Sequence, residues 1–388
     1  MSPGVDDEYR RRPDRDVGVR MRTRGAVARQ SPGEWEIVEI EVEPPRQGEL
    51  QVAMVAAGLC HSDDHITSGD LPAPLLPLAG GHEGAGIVEA VGPDTPGWEV
   101  GDHVVLSWVA SCGRCRFCAS GMQNLCDFAA EILTGRRIDG SLRMSIDGLP
   151  VAQMAGLATF CEHTVVDVNS AIKVDSDLPL DTVVLVGCGV GTGWGSAVNA
   201  AETRPGQTVI VMGVGGVGIH AVQGAAHAGA LHVIAVDPVE FKREMATQVG
   251  ATHTFPNIED AAEFARSVTN GQGADAAIVT VGLLKEEHVL AAFEAIRKAG
   301  IVVVTAVARR TERINVPAGE LTLYQKRIQG ALYGASSPTR DIPWMLDMYR
   351  AGRLRLDELI TTRYRLDDIN TGYADMRAGK NIRGVIVY

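Results

Sequence analysis

The chain changes rhythm near residue 207. Before it, apolar and polar residues alternate over short stretches cut by Gly and Pro, as in ELQVAMVAAG (49–58), AGIVEAVG (85–92), DHVVLSWVA (102–110) and EHTVVDV (162–168). A period of two places one strand face in a core and the other toward solvent, and helical periodicity is scarce here. Residues 22 to about 180 therefore predict a compact β-rich domain. Beyond 207 the runs turn apolar throughout and predict buried strands: TVIVMGVGGVG (208–218), HVIAVDP (232–238), ATHTF (251–255), DAAIVTVG (275–282), GIVVVTAV (300–307) and RIQGALYG (327–334). Helical stretches separate most of them, which predicts an α/β doubly wound parallel sheet of six strands. The tail predicts a helix in IPWMLDMYRAGRL (342–354), another near 367–378, and a closing strand in KNIRGVIVY (380–388).

The first strand of the second half runs into GVGGVG, with glycines at 213, 215 and 218. A strand, a glycine turn and a helix in that order form a dinucleotide cradle. Gly213 permits the tight turn, Gly215 lets backbone approach a pyrophosphate, and Gly218 lets helix pack on strand. Gly216 and Val217 complete the turn at the helix N-terminus, which attracts the anion. Asp237 ends the next strand, where its carboxylate can accept from a ribose hydroxyl and repels a 2′-phosphate, so NAD is expected over NADP.

Composition narrows the partners. The 388 residues carry a net charge of −12 with no basic patch, which disfavours nucleic acid. Residues 1–20 are dense in both charge signs and hold no apolar h-region, so a disordered extension over 1–21 is expected rather than a secretory signal, with Met21 an alternative start. The longest uncharged run, between Asp181 and Glu202, is broken by five glycines and is not expected to span a bilayer. A cytoplasmic location is expected, where clustered cysteines bind metal more often than they pair.

Cys112, Cys115, Cys118 and Cys126 are spaced C-x2-C-x2-C-x7-C. Such short spacings wrap the chain around one ion. Four thiolates leave no open position, so the site is structural; zinc is favoured over an iron–sulfur cluster because no other redox signature accompanies the run. Cys60 opens CHSDDH, His82 and Glu83 sit in GGHEGAG, and Cys188 sits in GCGVGTGWGSAV. Two thiols and one imidazole can hold zinc with the fourth position vacant, a catalytic set if the three meet in space.

These motifs, in this order, resemble the zinc-containing alcohol dehydrogenases of the medium-chain dehydrogenase/reductase family, most closely the actinobacterial NDMA-dependent, nicotinoprotein-type subgroup. The resemblance covers 22–388 and implies a GroES-like catalytic domain over 22–188 with a structural zinc lobe near 110–128. A Rossmann NAD-binding domain over 189–333 and a return to the catalytic domain over 334–388 follow. It implies two zinc ions per chain, one on Cys60, His82 and Cys188 and one on the four-cysteine lobe, leaving Cys161 for the core or a pocket wall. It implies that Ser62 lies beside the substrate oxygen, that His65 is the proton exit base, and that Asp63 orients His82. Glu83 stands behind the zinc as a transient ligand. Lys242 assists Asp237 at the adenine ribose, and Arg383 reaches the pyrophosphate. His61 stands where many members carry an arginine for that pyrophosphate, which implies easier cofactor release, whereas the subgroup retains its NAD; retention stays open.

The implied reaction is reversible oxidation of an alcohol to an aldehyde by hydride transfer to NAD, with an external electron acceptor if the cofactor is retained. Leu71, Trp108, Met154 and Ala155 fall where the family lines its pocket, and the tryptophan narrows it toward primary alcohols. Formaldehyde dehydrogenases acting on thiol adducts carry a carboxylate near Leu71 and an arginine near Ala130, and that activity is disfavoured by the apolar Leu71 and Ala130 that stand at those places here. A non-catalytic zinc-ribbon interaction protein on this fold is the reading from another class, disfavoured by the intact ligand set. A homodimer or homotetramer is implied.

Overall fold

The computed structural model describes residues 20–388 apart from Pro74 and Leu133. The expected N-terminal extension lies outside the described residues up to Val19, as does the side chain of Ala130. The first strand begins at Met21, the alternative start position.

Two β assemblies make up the first half. Strands Met21–Ala28, Glu36–Val42, Met144–Ile146, Leu149–Gln153 and Leu78–Ala79 close into a small barrel. A seven-stranded sheet runs from Ala171–Val174 through His103–Leu106, Glu83–Val91 and Glu49–Gly58 to Arg383–Val387 and Ile360–Tyr364, with His163–Asp167 also on Glu49–Gly58. The C-terminal strands are thus threaded back into the sheet of the first half. Glu49–Gly58 is the pivot. It pairs antiparallel with Glu83–Val91, placing Gly58 opposite Glu83, and with Arg383–Val387, placing Gly58 opposite Val385.

The second half is a parallel six-stranded sheet in the spatial order His253–Phe255, His232–Val236, Thr208–Met212, Ala274–Val279, Ile296–Val304 and Arg327–Gly330. All six predicted strands are present. The first strand lies centrally, between the second and the fourth, so the order reverses beside it and leaves a crevice at the carboxyl ends there. Thr208–Met212 is fully buried, which explains its unbroken apolar run.

Between the halves the uncharged run forms two helical pieces, Leu180–Gly187 and Gly189–Ala200, meeting at a 51° bend. Among the described residues no single helix is long and apolar enough to cross a membrane. Cys188 occupies the bend, with its backbone outside helical geometry. The glycines of this run face close neighbours: a Cβ on Gly193 would lie 2.0 Å from the Val217 carbonyl, and one on Gly195 2.3 Å from the Gly334 carbonyl. Only hydrogen fits, so this helix packs backbone to backbone on Gly218–His227 and carries Cys188 to the glycine turn.

Candidate functional site

Cys60 follows the strand Glu49–Gly58 and occupies the N-cap of the helix His61–Ser68. His82 precedes the strand paired with it, so the sheet register brings the two side by side. The helix was not legible as one, because it buries Asp63, Asp64 and His65 rather than an apolar stripe. With Cys188 arriving from the helical bend, the ligand atoms of Cys60, His82, Glu83 and Cys188 all lie within 4.8 Å of one another. A tetrahedral zinc with sulfur at 2.3 Å has edges of about 3.8 Å, so the donor set fits that ion. The polar atoms agree: Glu83 Oε1 is buried with no hydrogen-bond partner.

Electrostatics agree as well. The hydrogen bond with Cys188 holds the Cys60 thiol well below its ordinary value, against burial and helped by His82. The same contact and burial push Cys188 up. The two sulfurs therefore behave as one thiolate and one thiol sharing a proton, an arrangement that a cation between them would discharge. Burial pushes the Glu83 carboxyl up to about 7, opposed by Arg383, whose guanidinium is hydrogen-bonded to it.

Asp63 is fully buried, with Oδ2 2.8 Å from His82 Nδ1 and Oδ1 accepting from the Gly81 N–H at 2.9 Å. His82 Nδ1 is thus taken up by the carboxylate, leaving Nε2 for a metal. Ser62 Oγ is 3.8 Å from the Cys60 sulfur. His65 is buried rather than solvent-facing, and its Nε2 donates to the Gly282 carbonyl of the other domain at 2.9 Å. Burial pushes the His61 imidazole below its ordinary value, with the Cys60 thiolate opposing, so its neutral form is favoured beside Gly282.

Trp108 stands edge-on to the His82 ring, centroids 6.4 Å apart, and edge-on to Tyr333 at 5.8 Å. Its indole N–H is buried without a partner. It packs at once against the β core around Leu106 and Leu157 and against the His82 ring. Ala155, with a left-handed backbone (φ 52°), packs near Trp108 and Ala110. Met154 turns instead toward Ile66, Leu78 and Ala152, and Leu71 is half-buried just past the helix. Tyr333 is a site residue that the sequence did not reveal. It is buried, with its hydroxyl donating toward the Val186 and Gly187 carbonyls beside Cys188.

The glycine turn has the expected form. Gly213 is left-handed (φ 84°) and a Cβ on Gly218 would lie 1.8 Å from the Gly213 carbonyl. Asp237 accepts from the Val214 and Val239 N–H groups at 3.0 and 2.9 Å, which ties the turn to the end of the second strand. Lys242 Nζ lies 3.9 Å from where a Gly215 Cβ would stand. Arg383 is buried; besides Glu83 it donates to the Gly216 carbonyl at 3.4 Å. It therefore couples the metal pocket to the underside of the turn.

The sulfurs of Cys112, Cys115, Cys118 and Cys126 also lie within 4.8 Å of one another. Backbone N–H groups of Cys112, Cys115 and Cys118 point at the sulfurs of Cys126, Cys112 and Cys115 at 3.3 to 3.4 Å. Amides aimed at sulfur spread thiolate charge, as a closed four-thiolate site requires. Cys161 is buried with Val27, Ile40 and Met144, a core residue.

Residues 46–176 match the family described as "Alcohol dehydrogenase GroES-like domain", and residues 216–351 match "Zinc-binding dehydrogenase". The chain is 49% identical over 369 residues to an NDMA-dependent alcohol dehydrogenase of Amycolatopsis methanolica, covering 95% of this chain and 99% of that one. It is 46% identical over 370 residues to alcohol dehydrogenase B of Mycobacterium tuberculosis, covering 95% and 99%. Among solved structures, benzyl alcohol dehydrogenase of Acinetobacter calcoaceticus superposes with a TM-score of 0.87 at 30% identity, covering 95% and 99%.

Proposed function

The chain belongs to the zinc-binding alcohol dehydrogenases of the medium-chain dehydrogenase/reductase family, and on that premise we propose that it oxidises primary alcohols reversibly to aldehydes with NAD, kept bound through turnover and reoxidised by an external acceptor. The observation that carries the reading is the convergence of Cys60, His82 and Cys188 at the helical bend beside the glycine turn. An external acceptor is supported by the 49% identity to an NDMA-dependent alcohol dehydrogenase. Two zinc ions per chain are supported by the two separate donor clusters.

When bound, zinc supplies a Lewis acid for the alcohol oxygen and NAD supplies the hydride acceptor. The chain's residues do the rest. Cys60, His82 and Cys188 hold the metal, Asp63 keeps His82 oriented, and Glu83 stands by as an extra donor. Ser62 holds the alcohol proton, and His65 receives it on its way out. Trp108 narrows the inner pocket, which favours a primary carbinol carbon over a secondary one, while Leu71, Ala155 and, further out, Met154 bound the space beyond. Gly213, Gly215 and Gly218 let the backbone close on a pyrophosphate, with Gly216 and Val217 at the helix N-terminus. Lys242 and Arg383 supply the positive charge there, since burial favours a neutral His61. Asp237 has lone pairs left for a ribose hydroxyl after accepting two backbone N–H groups, and its charge disfavours a 2′-phosphate.

A cytoplasmic homo-oligomer completes the reading. The edge strand Arg327–Gly330 and the exposed Ile314, Leu323 and Tyr324 near it support self-association. The test is the nicotinamide absorbance of the purified protein before and after adding a primary alcohol with no NAD supplied. Reduction of bound cofactor is expected. Turnover that needs added NAD would reject retention while leaving the alcohol dehydrogenase activity in place.

A further inference from the structure

His65 carries an acceptor at each ring nitrogen. Nε2 donates to the Gly282 carbonyl, and Nδ1, buried without a hydrogen-bond partner, faces Asp70 Oδ2 at 3.5 Å. Asp70 is held there from three sides. The Leu71 N–H bonds the His65 carbonyl at 3.0 Å, turning the chain back on the helix end. Ser68 Oγ donates to Oδ2 at 2.9 Å, and Arg309, from the nucleotide-binding domain, is hydrogen-bonded to Oδ1. The other charged or titratable groups facing this spot are His61, its ring 6.0 Å from that of His65, and Lys242 beyond His61. His65 itself is 4% exposed, whereas the Asp70 side chain keeps 26% of its surface open.

We propose that Asp70 is a positioning residue for His65: its carboxylate faces the bare Nδ1, fixes the ring between two acceptors and opens a path for the transferred proton from the buried imidazole to bulk water. The proposal rests on the alcohol-oxidation reading above. A neutral imidazole offers one donor and one acceptor, and only the doubly protonated ring satisfies two acceptors. The proton released by the alcohol hydroxyl therefore finds its stable resting place at His65. It leaves to water on the Asp70 side, with no change in electron count at either residue. Arg309 and Ser68 lower the Asp70 carboxyl from its ordinary value, so it stays an acceptor through the working pH range. Arg309 also makes the assembly depend on the two domains meeting across the cleft.

The test mixes the holoenzyme with a primary alcohol and follows nicotinamide reduction as a function of pH; where added NAD is needed, steady-state kcat is read instead. Asp70→Asn is expected to slow the step about tenfold on the plateau above the ascending limb and to move that limb toward acid, since removing a facing carboxylate disfavours a proton on the ring. Asp70→Glu should restore the wild-type limb. A wild-type profile in Asp70→Asn overturns the proposal. So does a loss that is uniform across pH and persists in Asp70→Glu, which would mark a structural role. A wild type that oxidises no alcohol at any pH would overturn the function itself.

Discussion

Replacing Asp63 by Asn keeps the shape and removes one acceptor from a place where two donors converge. The wild-type carboxylate is fully buried and serves the Gly81 N–H with Oδ1 and His82 Nδ1 with Oδ2, at 2.9 and 2.8 Å. An amide has one oxygen for these two donors. The Gly81 amide is fixed by a left-handed backbone, φ 90°, with no room for a side chain, so the oxygen stays with it. The NH2 group then faces His82 Nδ1, and the ring relieves the clash by moving its proton to Nε2, the nitrogen that must be bare to bind metal. Loss of such a carboxylate–histidine partner costs about 10- to 100-fold in metal affinity, or about 1.4 to 2.7 kcal/mol. Zinc release to a colorimetric chelator measures it. The wild type should give two phases, and Asp63→Asn should move only the weaker-held one. Release curves that coincide within about twofold would refute the reasoning, given an effect expected to be tenfold or more. Equal loss of both ions would refute it too, by placing the effect on folding rather than on one site.

Two further outcomes follow from buried groups elsewhere. His220 is wholly buried under the glycine turn, and burial, with Arg383 second, pushes its imidazole down to about 3 from an ordinary 6.5. The unfolded chain therefore binds a proton that the folded chain refuses, and this contribution to stability is lost as pH falls from about 6.5 toward 3. Between pH 7.5 and 5 the loss is about 2 kcal/mol; His220→Gln should lose that much less on the same acidification in paired urea melts, and parallel curves would sink the assignment. Cys118→Ser opens the four-cysteine lobe. The lobe is tied to the returning chain by Asn124 on the Leu332 carbonyl and Ser337 on the Gly121 carbonyl. The variant should hold one zinc instead of two and melt at a lower temperature, by about 1 °C per kcal/mol lost in a chain of this size. Retention of two ions would show that the four sulfurs do not share a metal.

Part of this molecule is written in short windows of sequence. The six parallel strands are legible because each is an apolar run bounded by turn residues. GVGGVG is legible because a turn, a backbone approach and a helix start are decided within six positions. The four-cysteine lobe is likewise a matter of chain wrap over fifteen residues. The helix His61–Ser68 was not legible, because its buried face is made of the polar groups the site uses. Burial of His65 and the place of Tyr333 beside Cys188 left no local trace either.

The sequence alone determined the two-domain division, the strand order along the chain and the kinds of donor available, since all of these follow from side-chain period and spacing within a few residues. Only the tertiary structure decided that positions 60, 82 and 188 meet. It did so through the register that sets Gly58 opposite Glu83 and through a helical bend packed on glycines too crowded for any side chain. The same register, carried one strand further, seats Arg383 against Glu83 across 300 residues of chain. Sheet registry and close packing act between segments that carry no mark of each other, and that is why a window of sequence cannot reach them.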